Sequence, residues 1–140
     1  METIPLWDAS MSVGNAEIDE QHRQLLALNQ RAAELIANTH GTHTRKEIRR
    51  VLNAIVDLVE THFAIEERML SQNGCPNLAE HKAEHYRYIE LLADLIHASM
   101  LKDLKSKKVA SLLGEYIQHH LQEMDLGCRE YLREKPTTWS

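Results

Sequence analysis

Apolar residues recur along this chain at the three- and four-residue spacing of helices that hide one face, and they do so in four separate stretches. The first runs Ile18, His22, Leu25, Leu28 or Asn29, Ala32, Leu35 and Ile36, weakening at Asn38-Thr39 and stopping by Gly41. The second runs Ile48, Val51, Leu52, Ile55, Leu58, Val59, His62, Ile65, Glu66 and Met69. Thr44 with Glu47 predicts a capping box at its start, and Asn73-Gly74 marks a turn after it. The third, opened by Asn77 with Glu80, carries Leu78, His81, His85, Tyr88, Ile89, Leu92, Leu95 and Ile96. A Lys-rich joint at Lys102 to Lys105 precedes the fourth, with Val109, Leu112, Leu113, Tyr116, Ile117, His120, Leu121, Met124, Cys128 and Leu132.

Four helices of about 20 to 28 residues joined by short turns predict an all-α fold, an up-down-up-down antiparallel four-helix bundle with an N-terminal arm. The expected organisation is an arm over residues 1–17, a bundle over 18–134 and a loose tail over 135–140. Pro5 and Gly14 oppose helix in the arm, and Trp7 is expected to pack it onto the body. A chain of 140 residues suits one domain with a single core.

Composition narrows the partners. The formal net charge is −5 and the basic runs are short, so there is no footprint for nucleic acid. No apolar run approaches a membrane span, and the N-terminus lacks a signal-like apolar core, so a cytoplasmic protein without a membrane partner is expected. Cys75 and Cys128 are far apart in sequence and form no CxxC. They read as free thiols of a reducing compartment, with oxidation or a place beside a metal site as their other possible roles.

The chemistry lies in polar residues set mostly on apolar stripes: His22, His62, Glu66, His81, His85, His120 and Asp125. A core does not accept five imidazoles and two carboxylates without strong compensation. Taken singly, each group has an ordinary reading, as an exposed contact or a satisfied histidine. Taken together, alternating helix direction brings all four segments' groups to one end of a bundle, where a metal pair compensates all of them. The donors are too many for one structural zinc and too nitrogen-rich for calcium or magnesium, and a first-row pair, iron above all, suits them. Neutral imidazoles favour the ferrous state, which leans toward binding oxygen rather than oxidising substrates. His120 and Asp125 are five residues apart, about 140° on an ideal helix, so they either straddle the bundle axis or meet through a π-bulge. His40 and His43 fall in a joint, His97 near a helix end and His119 off its stripe, and none is expected to bind metal.

The run Val13-Gly14 with Ile18-Asp19-Glu20-Gln21-His22, then His62-Phe63 with Glu66-Glu67, His81 with His85, and His120 with Asp125, resembles the hemerythrins, specifically the bacterial single-domain members, over about residues 7–132. The resemblance implies a non-heme di-iron centre. One iron would take His81, His85 and His120, and the other His22 and His62 with one open position. Glu66 and Asp125 would bridge them beside an oxo or hydroxo bridge. It implies reversible dioxygen binding at the open position, by a route that leaves the net charge of the centre unchanged. Leu25, Tyr116, Ile117 and Leu121 would line the oxygen pocket, which must stay dry. Tyr116 stands where many family members have Trp; it either packs or brings a hydroxyl that perturbs the pocket.

The expectation is therefore a monomeric oxygen-binding protein, not an enzyme, that stores, delivers or scavenges oxygen. A redox or oxygen-consuming protein is its expected partner. A nitric oxide or peroxide reductase, or a sensor acting through a partner, are the rival readings. Substrate oxidation is disfavoured because the carboxylate-rich ligand pattern of the oxidising di-iron bundles is missing.

Overall fold

A computed structural model describes residues 7–37, 42–100, 106–125 and 127–133, leaving out the side chains of 42–43, 106–112 and 122–124. The predicted bundle is present. Its helices are α1 (Ala16–Ala37), α2 (Thr42–Gln72), α3 (Leu78–Met100) and α4 (Ser106–His119). A π-helical turn, His120–Asp125, follows α4, and a short α5 (Arg129–Leu132) comes after it. Helix α1 packs on α2 and α4, and α2 packs on α3. The predicted Lys102 to Lys105 joint and the tail 135–140 lie outside the described residues.

The arm is fastened by polar contacts. Asp8 caps a 3-10 turn, Ala9–Met11, accepting from the Ser10 amide at 2.8 Å. Asp19 accepts from the Ser12 hydroxyl at 2.5 Å and the Val13 amide at 2.9 Å. Trp7 packs against the core as expected, with the Arg23 guanidinium 4.1 Å from its ring centroid. Helix α1 begins at Ala16, inside the segment expected to be arm, because Asn15 caps it. Asn15 Oδ1 accepts from the Glu17 and Ile18 amides at 3.1 and 3.2 Å. Asn15 Nδ2 donates to the Leu132 carbonyl at 3.0 Å, tying this cap to α5. Gly14 turns the chain at φ 76, and a Cβ there would meet the Arg133 Cβ at 3.0 Å.

Two further boundaries differ from expectation. Helix α2 has 31 residues, longer than predicted, and starts at Thr42. Thr44 therefore sits within the first turn rather than capping it, and the backbone of His43 belongs to the helix rather than to a joint. The helix extends backward over Thr42 and His43 because a first turn leaves its amide donors without intrahelical partners wherever it starts. The end of α2 agrees with the turn signal. Gly74 adopts φ 72, the Cys75 amide donates to the Leu70 carbonyl at 2.9 Å and the Gly74 amide to Ser71 at 3.3 Å. The fourth stretch is not one continuous α-helix, since the π turn and the residues after it interrupt it before α5. Gly127 is exposed, and a Cβ there would meet open space.

Two apolar clusters form the core. The larger includes Leu25, Ile36, Leu52, Ile55, Leu92, Leu113, Ile117 and Leu121. The smaller gathers Val13, Ile18, Leu70, Cys75, Cys128 and Leu132 at one end. Within the larger cluster, the Tyr88 hydroxyl donates to Asn29 Oδ1 at 2.7 Å, and Asn29 Nδ2 donates to the Leu25 carbonyl at 2.8 Å. Burial pushes the Tyr88 phenol above its ordinary range, so it stays a donor. Tyr88→Phe leaves the buried Asn29 oxygen without its donor and is expected to destabilise the chain by about 1–3 kcal/mol. Urea unfolding measures this, and an unchanged midpoint would contradict the role given to the bond.

Candidate metal centre

Helices α1, α2 and α3 and the π turn after α4 deliver polar groups to one layer between the two apolar clusters. On α1, His22 lies between Ile18 of the smaller cluster and Leu25 of the larger. On α2, His62 and Glu66 share a face at the four-residue step, as do His81 and His85 on α3. His120 and Asp125 are the first and last residues of the π turn. A π turn bonds residues five apart, so it stacks the two side chains that an α-helix would separate. His120 Nε2 lies 3.2 Å from Asp125 Oδ2. Of the two alternatives left open by the spacing, the backbone takes the π turn.

The seven residues come together, and each is at least 98 % buried. All five imidazoles direct Nε2 at the two carboxylates. Glu66 Oε1 is 3.1 Å from His62, 3.3 Å from His85 and 3.7 Å from His120, and Oε2 is 3.6 Å from His22. Asp125 Oδ1 is 2.9 Å from His81, and Oδ2 is 2.9 Å from His22. The donor atoms fall into two overlapping groups, each within 4.8 Å: Glu66, His81, His85, His120 and Asp125, and His22, His62, Glu66 and Asp125. Both carboxylates belong to both groups.

Several of these buried atoms are close to one another but meet no hydrogen-bond geometry. Both Glu66 oxygens, Asp125 Oδ2 and the Nε2 atoms of His22, His62, His85 and His120 lack a hydrogen-bond partner. Buried polar atoms left in this state are costly, and a cation among them satisfies them together. The residues therefore fit a metal site on their own chemistry.

Electrostatics tell the same story. Burial opposes charge on His22 and His120, but Asp125 and Glu66 outweigh it and raise the two imidazoles to about 9 and about 10. Burial pushes Glu66 up, yet His62, His120 and His22 hold it well below its ordinary range. Burial and the Glu66 charge push Asp125 up, yet His120 and His22 hold it far below. Without metal, protons on imidazole are the counter-charge, and a cation displaces them. The raised histidines stabilise the metal-free fold below pH 6.5, and this contribution is lost as pH rises through about 9 to 10. The depressed carboxylates contribute above their ordinary values of 4.5 and 3.8 and lose that contribution as pH falls. The metal-free chain is thus expected to melt highest between about pH 4.5 and 6.5 and to lose stability toward pH 10. Thermal melts across that range test it, and a rise of stability toward pH 10 would refute the assignment.

Three supporting residues were not singled out from the sequence. Gln21 of α1 reaches α2, its Oε1 lying 2.5 Å from His62 Nδ1. Glu67 of α2 reaches α3, 2.8 Å from His85 Nδ1. Each acceptor holds the hydrogen on Nδ1 and turns Nε2 to the centre. Phe63 stacks on His85, with centroids 3.7 Å apart and planes 5° apart. The available signal was position: Gln21 adjoins His22, Phe63 adjoins His62 and Glu67 adjoins Glu66, each about 100° around the helix toward a neighbour.

The remaining residues fall as follows. Leu25, Ile117 and Leu121 are buried in the larger cluster, and Tyr116 packs against it. The Tyr116 ring lies nearly parallel to His120 at 5.9 Å, and its hydroxyl donates to the Glu84 carbonyl on α3. That hydroxyl is therefore engaged with backbone. His97 is exposed near the end of α3, and His119 is 3.9 Å from Glu84. His40 and the His43 side chain lie outside the described residues.

A helical bundle with a buried, histidine-rich layer and two shared carboxylates defines a cation-binding protein. The sequence matches the hemerythrin HHE cation-binding domain over residues 13–127, and the chain belongs to this family. It is 25% identical over 123 residues to a bacteriohemerythrin of Stenotrophomonas maltophilia, covering 86% of this chain and 76% of that one. It is 32% identical over 127 residues to a hemerythrin-like protein of Naegleria gruberi, covering 89% and 92%. A crystal structure of wild-type hemerythrin superposes with a TM-score of 0.76 at 23% identity, covering 94% of this chain and 100% of that one, which establishes the shared fold. No helix among the described residues is long and apolar enough to cross a membrane.

Proposed function

We propose that the chain holds two irons and binds dioxygen reversibly, for storage, delivery or scavenging, without acting as an enzyme. The observation that carries this is the pair of overlapping donor groups sharing Glu66 and Asp125. His81, His85 and His120 would hold one iron, and His22 and His62 the other. Both carboxylates would bridge them beside an oxo or hydroxo bridge. The group with fewer imidazoles is the one with room for an exogenous ligand.

When bound, a ferrous pair supplies the electrons that dioxygen binding requires. The chain's own residues do the rest. Glu66 and Asp125 supply two buried negative charges that offset the cations. Gln21 and Glu67 hold the His62 and His85 rings in register. Glu67 offers a full charge where Gln21 offers only a dipole, so the two groups are not electronically equal. Leu25, Ile117 and Leu121 keep water away from the open side, which supports reversible binding over loss of a reduced product. Leu25, Tyr116, Ile117 and Leu121 are the proposed pocket lining. With its hydroxyl engaged by Glu84, Tyr116 offers that pocket its ring.

The test is anaerobic iron reconstitution followed by optical titration with oxygen. An oxygen-dependent spectrum that bleaches under vacuum and returns on readmission is expected. Irreversible oxidation on first exposure, or no spectral change with iron in place, would overturn the reading.

A further inference from the structure

At the end of the bundle beyond the metal layer, two residues far apart in sequence meet. Cys75 and Cys128 place their Sγ atoms 3.9 Å apart. Both are buried, among Val13, Ile18, Leu70 and Leu132. Neither is held inside a regular helix. Cys75 follows Gly74 at φ 72 in the turn between α2 and α3, flanked by exposed Gly74 and Pro76. Cys128 precedes α5, and its amide donates to the Asp125 carbonyl at 3.1 Å. A disulfide needs the sulfurs about 2 Å apart, a closure that turn backbones accommodate more readily than helix interiors.

We propose that Cys75 and Cys128 form a redox-convertible pair, closing to a disulfide that fastens the α2–α3 turn to the segment just past Asp125. The oxidant is hydrogen peroxide. The Cys75 sulfur, on the side of the surface turn, attacks one peroxide oxygen. The O–O bond breaks, water leaves and a sulfenic acid forms. The Cys128 sulfur then displaces that hydroxyl as a second water, and the S–S bond forms. Both thiol hydrogens leave in the two waters; the sulfurs together lose two electrons and the peroxide gains them. Burial makes the conversion slow, because only fluctuations of the turn admit the oxidant.

The loop closed by this bond contains His81, His85, His120 and Asp125. Joining its ends restricts the excursions by which those groups separate, so the oxidised chain releases metal more slowly. This consequence rests on the metal reading above, whereas the crosslink does not.

The experiment exposes the full chain to millimolar hydrogen peroxide over hours and digests it without reduction for mass spectrometry. A peptide pair joining Cys75 to Cys128, lighter than its parts by two hydrogens and separated by dithiothreitol, is expected. Independent sulfinic or sulfonic acids on the two residues, or intact thiols at the end of treatment, overturn the proposal. In Cys128→Ser, dimedone should trap a sulfenic acid on Cys75; an absence of adduct overturns the assigned order of attack. Metal-loaded samples of the two redox forms are then challenged with a chelator. Severalfold slower release from the oxidised form is expected, and equal rates overturn the fastening role. A chain that crosslinks but never loads metal would fail the metal reading alone.

Discussion

Glu66→Gln is expected to empty both metal positions, taking iron after anaerobic reconstitution to less than half that of the unaltered chain. Glu66 faces four of the five imidazoles, through Oε1 at 3.1, 3.3 and 3.7 Å and Oε2 at 3.6 Å. Glutamine keeps the shape but removes a buried negative charge and places amide hydrogens where the acceptor stood. In the proposed centre the remaining bridging carboxylate, Asp125, would not offset two cations in a buried layer. His120→Ala is the contrasting case. It removes one donor from one group and should cripple that position while sparing the other. Iron per chain, with circular dichroism to verify helix content, separates the two. Full occupancy in Glu66→Gln would show that the carboxylate does not bridge.

Leu121→Ala is expected to act on the fold and the site together. Leu121 is 2% exposed and directly follows His120 in the π turn. Truncating a buried leucine costs about 2–5 kcal/mol, according to how far the surroundings collapse. If they do not collapse, the space lies beside the centre and admits water. The lifetime of the oxygenated form should then shorten severalfold at matched temperature. Denaturant unfolding measures the first effect, and the decay of the oxygenated spectrum the second. An unchanged or longer lifetime would argue against exclusion of water as the basis of reversibility.

Much of the site is legible in the sequence. His22, His62, Glu66, His81 and His85 stand on stripes whose other members include Ile18, Leu25, Val59, Tyr88 and Leu92, all five buried. The helical repeat alone therefore placed them inside. Gly74 announced the end of α2 because few other residues accept its φ of 72. The cap signature at Thr44 does not mark the start of α2, because such a signature competes with the capacity of preceding residues to extend a turn.

The repeat also determined which residues share a helix face and that four long helices form the bundle, since both follow from local geometry and from the cost of exposing apolar stripes. Three things were decided only in three dimensions. The backbone between His120 and Asp125 winds as a π turn, a rare departure from the α ladder that only the surrounding packing makes worthwhile. Gln21 and Glu67 find His62 and His85 across helix boundaries, and no spacing along one helix encodes a reach to the next. Cys75 meets Cys128 because the turn after α2 and the segment after the π turn close the same end of the bundle. Local periodicity encodes burial; contact between separate segments depends on how helices pack, and that is set by all of their faces at once.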